Sequence, residues 1–166
     1  MNQKMHWRAL TSPDLPVLEA IAARVHPAFP EDGAVFAERL RLYPDGARLF
    51  ELNGAPAGYV LSHPWRFGQL PELNALLGAV PDEADTYYLH DLALLPAARG
   101  TGAAAMIVGD MLRHARAVGL PSVSLVAVNG SLPFWYKHGF RAVQAPELVD
   151  KLASYDAAAR LMVRRF

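Results

Sequence analysis

The stretch LALLPAARGTGAAAM, residues 92–106, constrains this chain most. From Tyr87 to Leu95 both alternating faces carry apolar residues, as in a central strand covered on both sides. Pro96 ends that run, Gly100 and Gly102 punctuate a turn, and Met106, Ile107, Met111, Leu112 and Ala115 mark the buried stripe of a helix. The spacing predicts that helix from about Gly100 to Val118, closed by Gly119 and Pro121. A buried strand feeding a helix through a glycine turn belongs to a layered mixed α/β architecture.

The flanking segments follow suit. Met5 to Leu10 alternates as a strand, Thr11 to Asp14 is a helix-start cluster, and Leu15, Leu18, Ile21, Ala22 and Val25 recur at helical spacing. A second amphipathic stretch carries Val35, Phe36, Leu40 and Tyr43. Ala47 to Leu52 and Ala57 to Ser62 flank a turn at Asn53 to Pro56 and read as a hairpin. A short helix is expected around Glu72 to Leu77, strands at Val123 to Val128, Phe140 to Val143 and Leu161 to Phe166, and a helix from Ser131 through His138. No repeat or linker divides the chain, so residues 1–166 are expected to form one domain.

Composition narrows the function classes. Sixteen Lys plus Arg balance sixteen Asp plus Glu, so no global field recruits nucleic acid or an anionic membrane, and any anion site must be local. Without cysteine there is no disulfide, thiolate metal site or cysteine nucleophile. His6, His26, His114 and His138 lack ligand spacing, and no metal is expected. The first residues do not read as a secretory signal, no apolar run approaches the roughly 18 residues of a membrane span, and a cytoplasmic protein is the default expectation.

The glycine turn is a candidate anion cradle. Amides at a helix N-terminus lack partners within the helix, and the dipole adds positive charge there. Over Arg99, Gly100, Thr101, Gly102, Ala103 and Ala104, the glycines and alanines let a diphosphate approach the backbone. The same glycines equally suit a plain strand-to-helix connection. The missing Gly, Lys, Ser/Thr ending disfavours a Walker loop, and the dinucleotide fingerprint fails because its third glycine is absent and no early strand precedes it.

A second segment, VAVNGSLPFWYKHGF at residues 126–140, ends a strand at Asn129 and carries Tyr136 seven residues later, before Gly139 and Phe140. Together with Arg99, Gly102 and Ala104 in the first segment, it resembles the GNAT superfamily of acyl-CoA N-acyltransferases. Element order agrees over nearly the whole chain, while the motif content is concentrated in residues 87–140. Leu132 stands where the family often has a small residue, and Pro133 is tolerable in a first helical turn. Asn129-Gly130 is also a hairpin signal, but a helix-like run follows it.

That resemblance implies a mostly antiparallel sheet of six to seven strands, splayed at its central parallel pair and flanked by about four helices. It implies acetyl-CoA as donor and a primary amine of a small molecule or peptide as acceptor, with direct attack on the thioester. The pantetheine arm would pair with the backbone of Leu92, Ala93 and Leu94. The pyrophosphate would sit on residues 99 to 104, with the Arg99 guanidinium as an extra contact. Asn129 would hold the arm or an ordered water, or else cap the strand end.

An amine with a pKa near 10.4 must lose a proton at a cost of roughly 4 to 5 kcal/mol at neutral pH, so a base or water relay is expected. His90 and Asp91 are the candidates, Asp91 by likeness to related enzymes and His90 by its unperturbed pKa. Simple alternation puts them on opposite faces, with one facing the acceptor. Tyr136 matches the family's general acid for the leaving sulfur, and the alternative is a packing role beside Phe134 and Trp135. His63, Pro64, Trp65 and Trp7 are candidates for the acceptor pocket or for packing, and Glu31, Asp32, Asp82, Glu83 and Asp85 for an acidic lining. A non-catalytic acyl-CoA sensor is the alternative function. A homodimer through exposed strands or the carboxyl terminus is compatible with the sequence.

Overall fold

In the computed structural model, which describes residues 4–166, the apolar periodicities resolve into a sheet with helices on both sides. Strand β1 (Met5–Ala9) leads through a 3₁₀ turn into α1 (Leu15–Val25) and α2 (Gly33–Leu42). The hairpin β2 (Ala47–Leu52) and β3 (Ala55–Trp65) follows, then β4 (Thr86–Leu94), α3 (Ala103–Ala117), β5 (Ser122–Ala127) and α4 (Leu132–Lys137). A two-residue β6 (Arg141–Ala142), a short α5 (Val149–Ala153) and β7 (Arg160–Arg165) complete the chain. The seven strands lie in the order β1-β2-β3-β4-β5-β7-β6, and only β4 and β5 run parallel.

One face of the sheet packs on α3 through Phe50, Val60, Tyr87, Leu89, Leu125, Ile107 and Met111. The other packs on α1 and α2 through Leu18, Ile21, Phe36, Leu49, Tyr59, Leu61 and Ala93. Each such side chain contributes about 1.5–3 kcal/mol by leaving water. Trp7 Nε1 donates across the first core to the Ala103 carbonyl at 3.0 Å, tying the sheet edge to the first turn of α3.

Two departures from regular pairing make the site. Strands β4 and β5 pair only at Tyr87↔Val123, Tyr88↔Ser124 and Leu89↔Leu125. Thr86 Oγ1 clasps the Ser122 and Ser124 hydroxyls at 2.9 Å each, closing the paired end. Past Leu89, β4 continues against β3 while β5 continues against β7, so the two strands diverge. The second departure is a bulge: Leu61 pairs with Asp91 but Ser62 pairs with Leu89, leaving His90 as an extra residue on β4. The expected alternation of His90 and Asp91 onto opposite faces is therefore incorrect, because the extra residue turns both toward α1 and α2.

Other expectations also need correction. Residues 72–77 form no helix: Asn74 takes a positive φ of 57°, and Glu38 accepts the Leu77 and Gly78 amides at 2.6 and 3.0 Å. The strand expected over 140–143 shrinks to Arg141–Ala142, and α5 adds a fifth α-helix. Among the described residues no helix is long and apolar enough to cross a membrane.

Candidate active site

The glycine turn delivers Gly102 as the N-cap of α3 in the left-handed conformation, φ 89°, with Gly100 also left-handed at φ 76°. A Cβ on either would meet no atom within 4 Å, so the glycines serve the backbone conformation and leave open space in front of it. The amides of Arg99 and Thr101 bond the Pro96 and Ala98 carbonyls, and the Ala103 amide reaches Thr101 Oγ1 at 3.3 Å. Those of Gly100, Gly102, Ala104 and Ala105 have no acceptor among the described residues. Only alternate members of the expected cradle are thus free to bind an anion, and Ala105 extends it.

At Ala104 this turn borders a cleft of about 650 Å³ opened by the divergence of β4 and β5. Leu92, Leu94, Arg99 and Ala104 line one side; Val126, Val128, Asn129, Ser131, Phe134 and Trp135 line the other. Ala93 turns its side chain into the opposite core while its backbone stays in the strand between Leu92 and Leu94. Asn129 has φ 55° and its amide donates to Asp156 Oδ2 at 3.0 Å, which fixes the turn into α4.

The cleft meets a narrower chamber of about 80 Å³, walled by Phe29, Glu31, Glu72, Leu73, Tyr88 and Tyr155. His26, His90 and Asp91 line both spaces. Glu31 Oε1 lies 3.2 Å from His90 Nε2, both side chains being buried. Burial works against the Glu31 charge, but the hydrogen bond and charge of His90 outweigh it and hold the carboxyl below its ordinary range. Asp91 Oδ1 lies 2.8 Å from His26 Nε2, and Oδ2 accepts the Tyr59 hydroxyl at 2.5 Å. Burial likewise opposes a charge on His26, yet the bond to Asp91 wins and raises its pKa. Chemically, the junction offers two imidazoles, each backed by a carboxylate, His90 by Glu31 and His26 by Asp91.

The segment between β3 and β4 closes the chamber and is strapped down at several points. Glu31 Oε2 accepts the Asn74 amide at 3.2 Å, Asn74 Oδ1 accepts the Asp32 amide at 2.7 Å, and the Tyr155 hydroxyl donates to the Pro71 carbonyl. Glu31 therefore holds both the chamber wall and His90.

Tyr136 lines neither space. It is half-exposed beneath the Arg141 guanidinium, 5.7 Å from the ring centroid, because the turn of α4 that directs Phe134 and Trp135 into the cleft directs the next residue away. Trp7 lies in the α3 core, and His63, Pro64 and Trp65 do not reach the chamber; the His63 ring stacks behind His90 at 6.5 Å between centroids. Of the expected acidic lining, Glu31 reaches the chamber whereas Asp32, Asp82, Glu83 and Asp85 do not. Sequence reading missed His26, Tyr59 and Tyr88. A polar residue at the end of α1 and phenols on strand faces were the available signals.

The profile of the acetyltransferase (GNAT) family matches residues 7–140, from β1 through the end of α4. The chain belongs to this family. Solved GNAT structures superimpose over nearly its whole length. They include Naa50 of Arabidopsis thaliana in complex with the bisubstrate analogue CoA-Ac-MVNAL, at 13% identity, TM-score 0.73, covering 98% of this chain and 99% of that one. The loading GNATL domain of CurA from Lyngbya majuscula gives 17% identity and TM-score 0.75, with 98% of each chain covered. The GNAT-like decarboxylase GphF, in complex with isobutyryl-CoA, gives 20% identity and TM-score 0.75, covering 96% of this chain and 98% of that one. No curated protein sequence matches this GNAT chain.

Proposed function

We propose that this GNAT protein is an acyltransferase that moves an acyl group, acetyl in the simplest case, from acyl-CoA to a primary amine. The observation that carries the reading is the meeting of two spaces at His90: a long cleft bordered at Ala104 by the glycine turn, and a narrow acidic chamber. The pantetheine amides would pair with the β4 backbone at Leu92, Ala93 and Leu94, where the β5 partner has diverged. The diphosphate would take the amides of Gly100, Gly102, Ala104 and Ala105, with Arg99 alongside and Asn129 facing the arm across the cleft.

His90 is the base in this reading. With Nε2–H directed at Glu31, its Nδ1 is left as the proton acceptor, and the Glu31 carboxylate stabilises the imidazolium that forms. Asp91 has both oxygens engaged by His26 and Tyr59, which suits it to hold the His26 ring in place at the junction. An acceptor that arrives as ammonium first gives one proton through His90 to solvent; its nitrogen then attacks the thioester carbon, the C–N bond forms, the C–S bond breaks, and the second proton lost by that nitrogen passes through His90 to the thiolate. Tyr136 has no place in this sequence of steps.

The test is release of free thiol from acetyl-CoA over a panel of primary amines, comparing the wild type with His90→Gln. Amine-dependent release that falls by about 100-fold or more in the variant supports the reading. Binding of acetyl-CoA with no amine-dependent release would instead favour a cofactor sensor.

A further inference from the structure

The chamber's chemistry goes beyond the choice of an amine. Its carboxylates are Glu31, Glu72 and Asp91, and no lysine or arginine lines it; the imidazoles of His26 and His90 are the only basic groups there. Glu31 and Asp91 stand at the inner end against these imidazoles, and Glu72 is exposed at the rim with Lys151 3.8 Å away. Between them the walls are apolar, from Phe29, Pro71, Leu73, Val126 and Val128, and the free volume is about 80 Å³. Such walls suit methylene groups and leave little room for a bulky ring system.

Two polar groups of the chamber lining have no partner among the described residues, the Tyr88 hydroxyl and the buried Nδ1 of His26. Tyr88 is 4% exposed and lines the chamber, yet its hydroxyl has no hydrogen-bond partner among the described residues. The Tyr88 oxygen is not among the polar atoms sealed from solvent, so it opens onto the chamber, where it is placed to bond a ligand. A phenol oxygen can accept an N–H from an ammonium group.

We propose, resting on the acyl-transfer reading, that the acceptor is a slender aliphatic primary amine that enters as its ammonium ion and without a carboxylate of its own. Tyr88 and Glu31 orient the nitrogen, and the apolar walls take the chain. A terminal carboxylate would be driven against Glu72 at the rim or against Glu31 and Asp91 inside.

The experiment measures kcat and KM with acetyl-CoA and three acceptors: n-butylamine, 4-aminobutyrate and glucosamine. The same acceptors are titrated calorimetrically into the protein saturated with CoA. The proposal expects kcat/KM for n-butylamine to exceed that for 4-aminobutyrate by about tenfold or more, since like charges at close range repel by more than one such step. Tyr88→Phe should raise KM for n-butylamine severalfold while kcat changes little, and Glu72→Gln should narrow the gap between the two acceptors. Equal or better transfer to 4-aminobutyrate or glucosamine overturns the proposal and leaves acyl transfer intact. Absence of transfer to every amine overturns the acyl-transfer reading; calorimetry then decides the chamber's preference, and equal affinity for n-butylamine and 4-aminobutyrate overturns the proposal.

Discussion

His90 and Asp91 stand on the same face of β4 because His90 is an extra residue in that strand, opposite the Leu61–Ser62 step of β3. Without the bulge, one of the two would point into the α3 core. With it, two imidazole–carboxylate pairs, His90 with Glu31 and His26 with Asp91, converge where the cleft meets the chamber. A bulge beside a reacting centre re-aims side chains at little cost to the rest of the sheet.

If His90 is the base and Glu31 its partner, the two substitutions should differ in degree. His90→Gln should lower kcat by about 10²–10⁴-fold, while Glu31→Gln, which keeps the shape and removes the charge, should lower it by about tenfold. Steady-state kinetics with titration of CoA affinity checks this. Affinity for CoA should stay within about twofold of the wild type in both.

Gly102→Val places a β-branched residue at φ 89°, which costs about 1–2 kcal/mol or more of stability. Since a Cβ there meets no atom within 4 Å, the variant should still fold, but its side chain would project into the space in front of the free amides. Thermal melting should show a modestly lowered midpoint without ligand and a much smaller upward shift on adding CoA.

Tyr136 lies outside both spaces, so Tyr136→Phe should change kcat by less than about twofold, in the range of substitutions that leave the transition state untouched. A larger loss in thiol release would return this phenol to the chemistry.

His63 is 1% exposed, and burial pushes its pKa down to about 3 from 6.5. Its folded form must remain neutral, so between these values the unfolded chain binds the additional proton. Stability is complete above about 6.5 and is lost as pH falls, by at most about 1.4 kcal/mol per pH unit. Melting of His63→Phe should therefore depend less steeply on pH between about 6.5 and 4.5 than that of the wild type.

Local signals made much of this legible. Leu15, Leu18, Ile21, Ala22 and Val25 gave α1 its bounds, while the proline and glycines of residues 96–102 announced α3 but put its start near Gly100, where the left-handed turn instead delays it to Ala103. What escaped was set by partners distant in sequence. The bulge depends on register against β3, which no residue of β4 announces. The irregular path of residues 72–77 depends on Glu38 taking two of its amides, and the His26–Asp91 pair spans 65 residues. Tyr136 had the expected spacing from Asn129, but the rotation of a six-residue helix decided which of its neighbours entered the cleft.

The most direct measurement is a crystal structure with CoA and n-butylamine bound. The account predicts the diphosphate on the amides of Gly100, Gly102, Ala104 and Ala105, the sulfur beside His90, and the amine nitrogen in the chamber within hydrogen-bond reach of Tyr88. A nucleotide bound away from the turn at residues 99–105, or a sulfur pointing out of the cleft toward Tyr136, would contradict it.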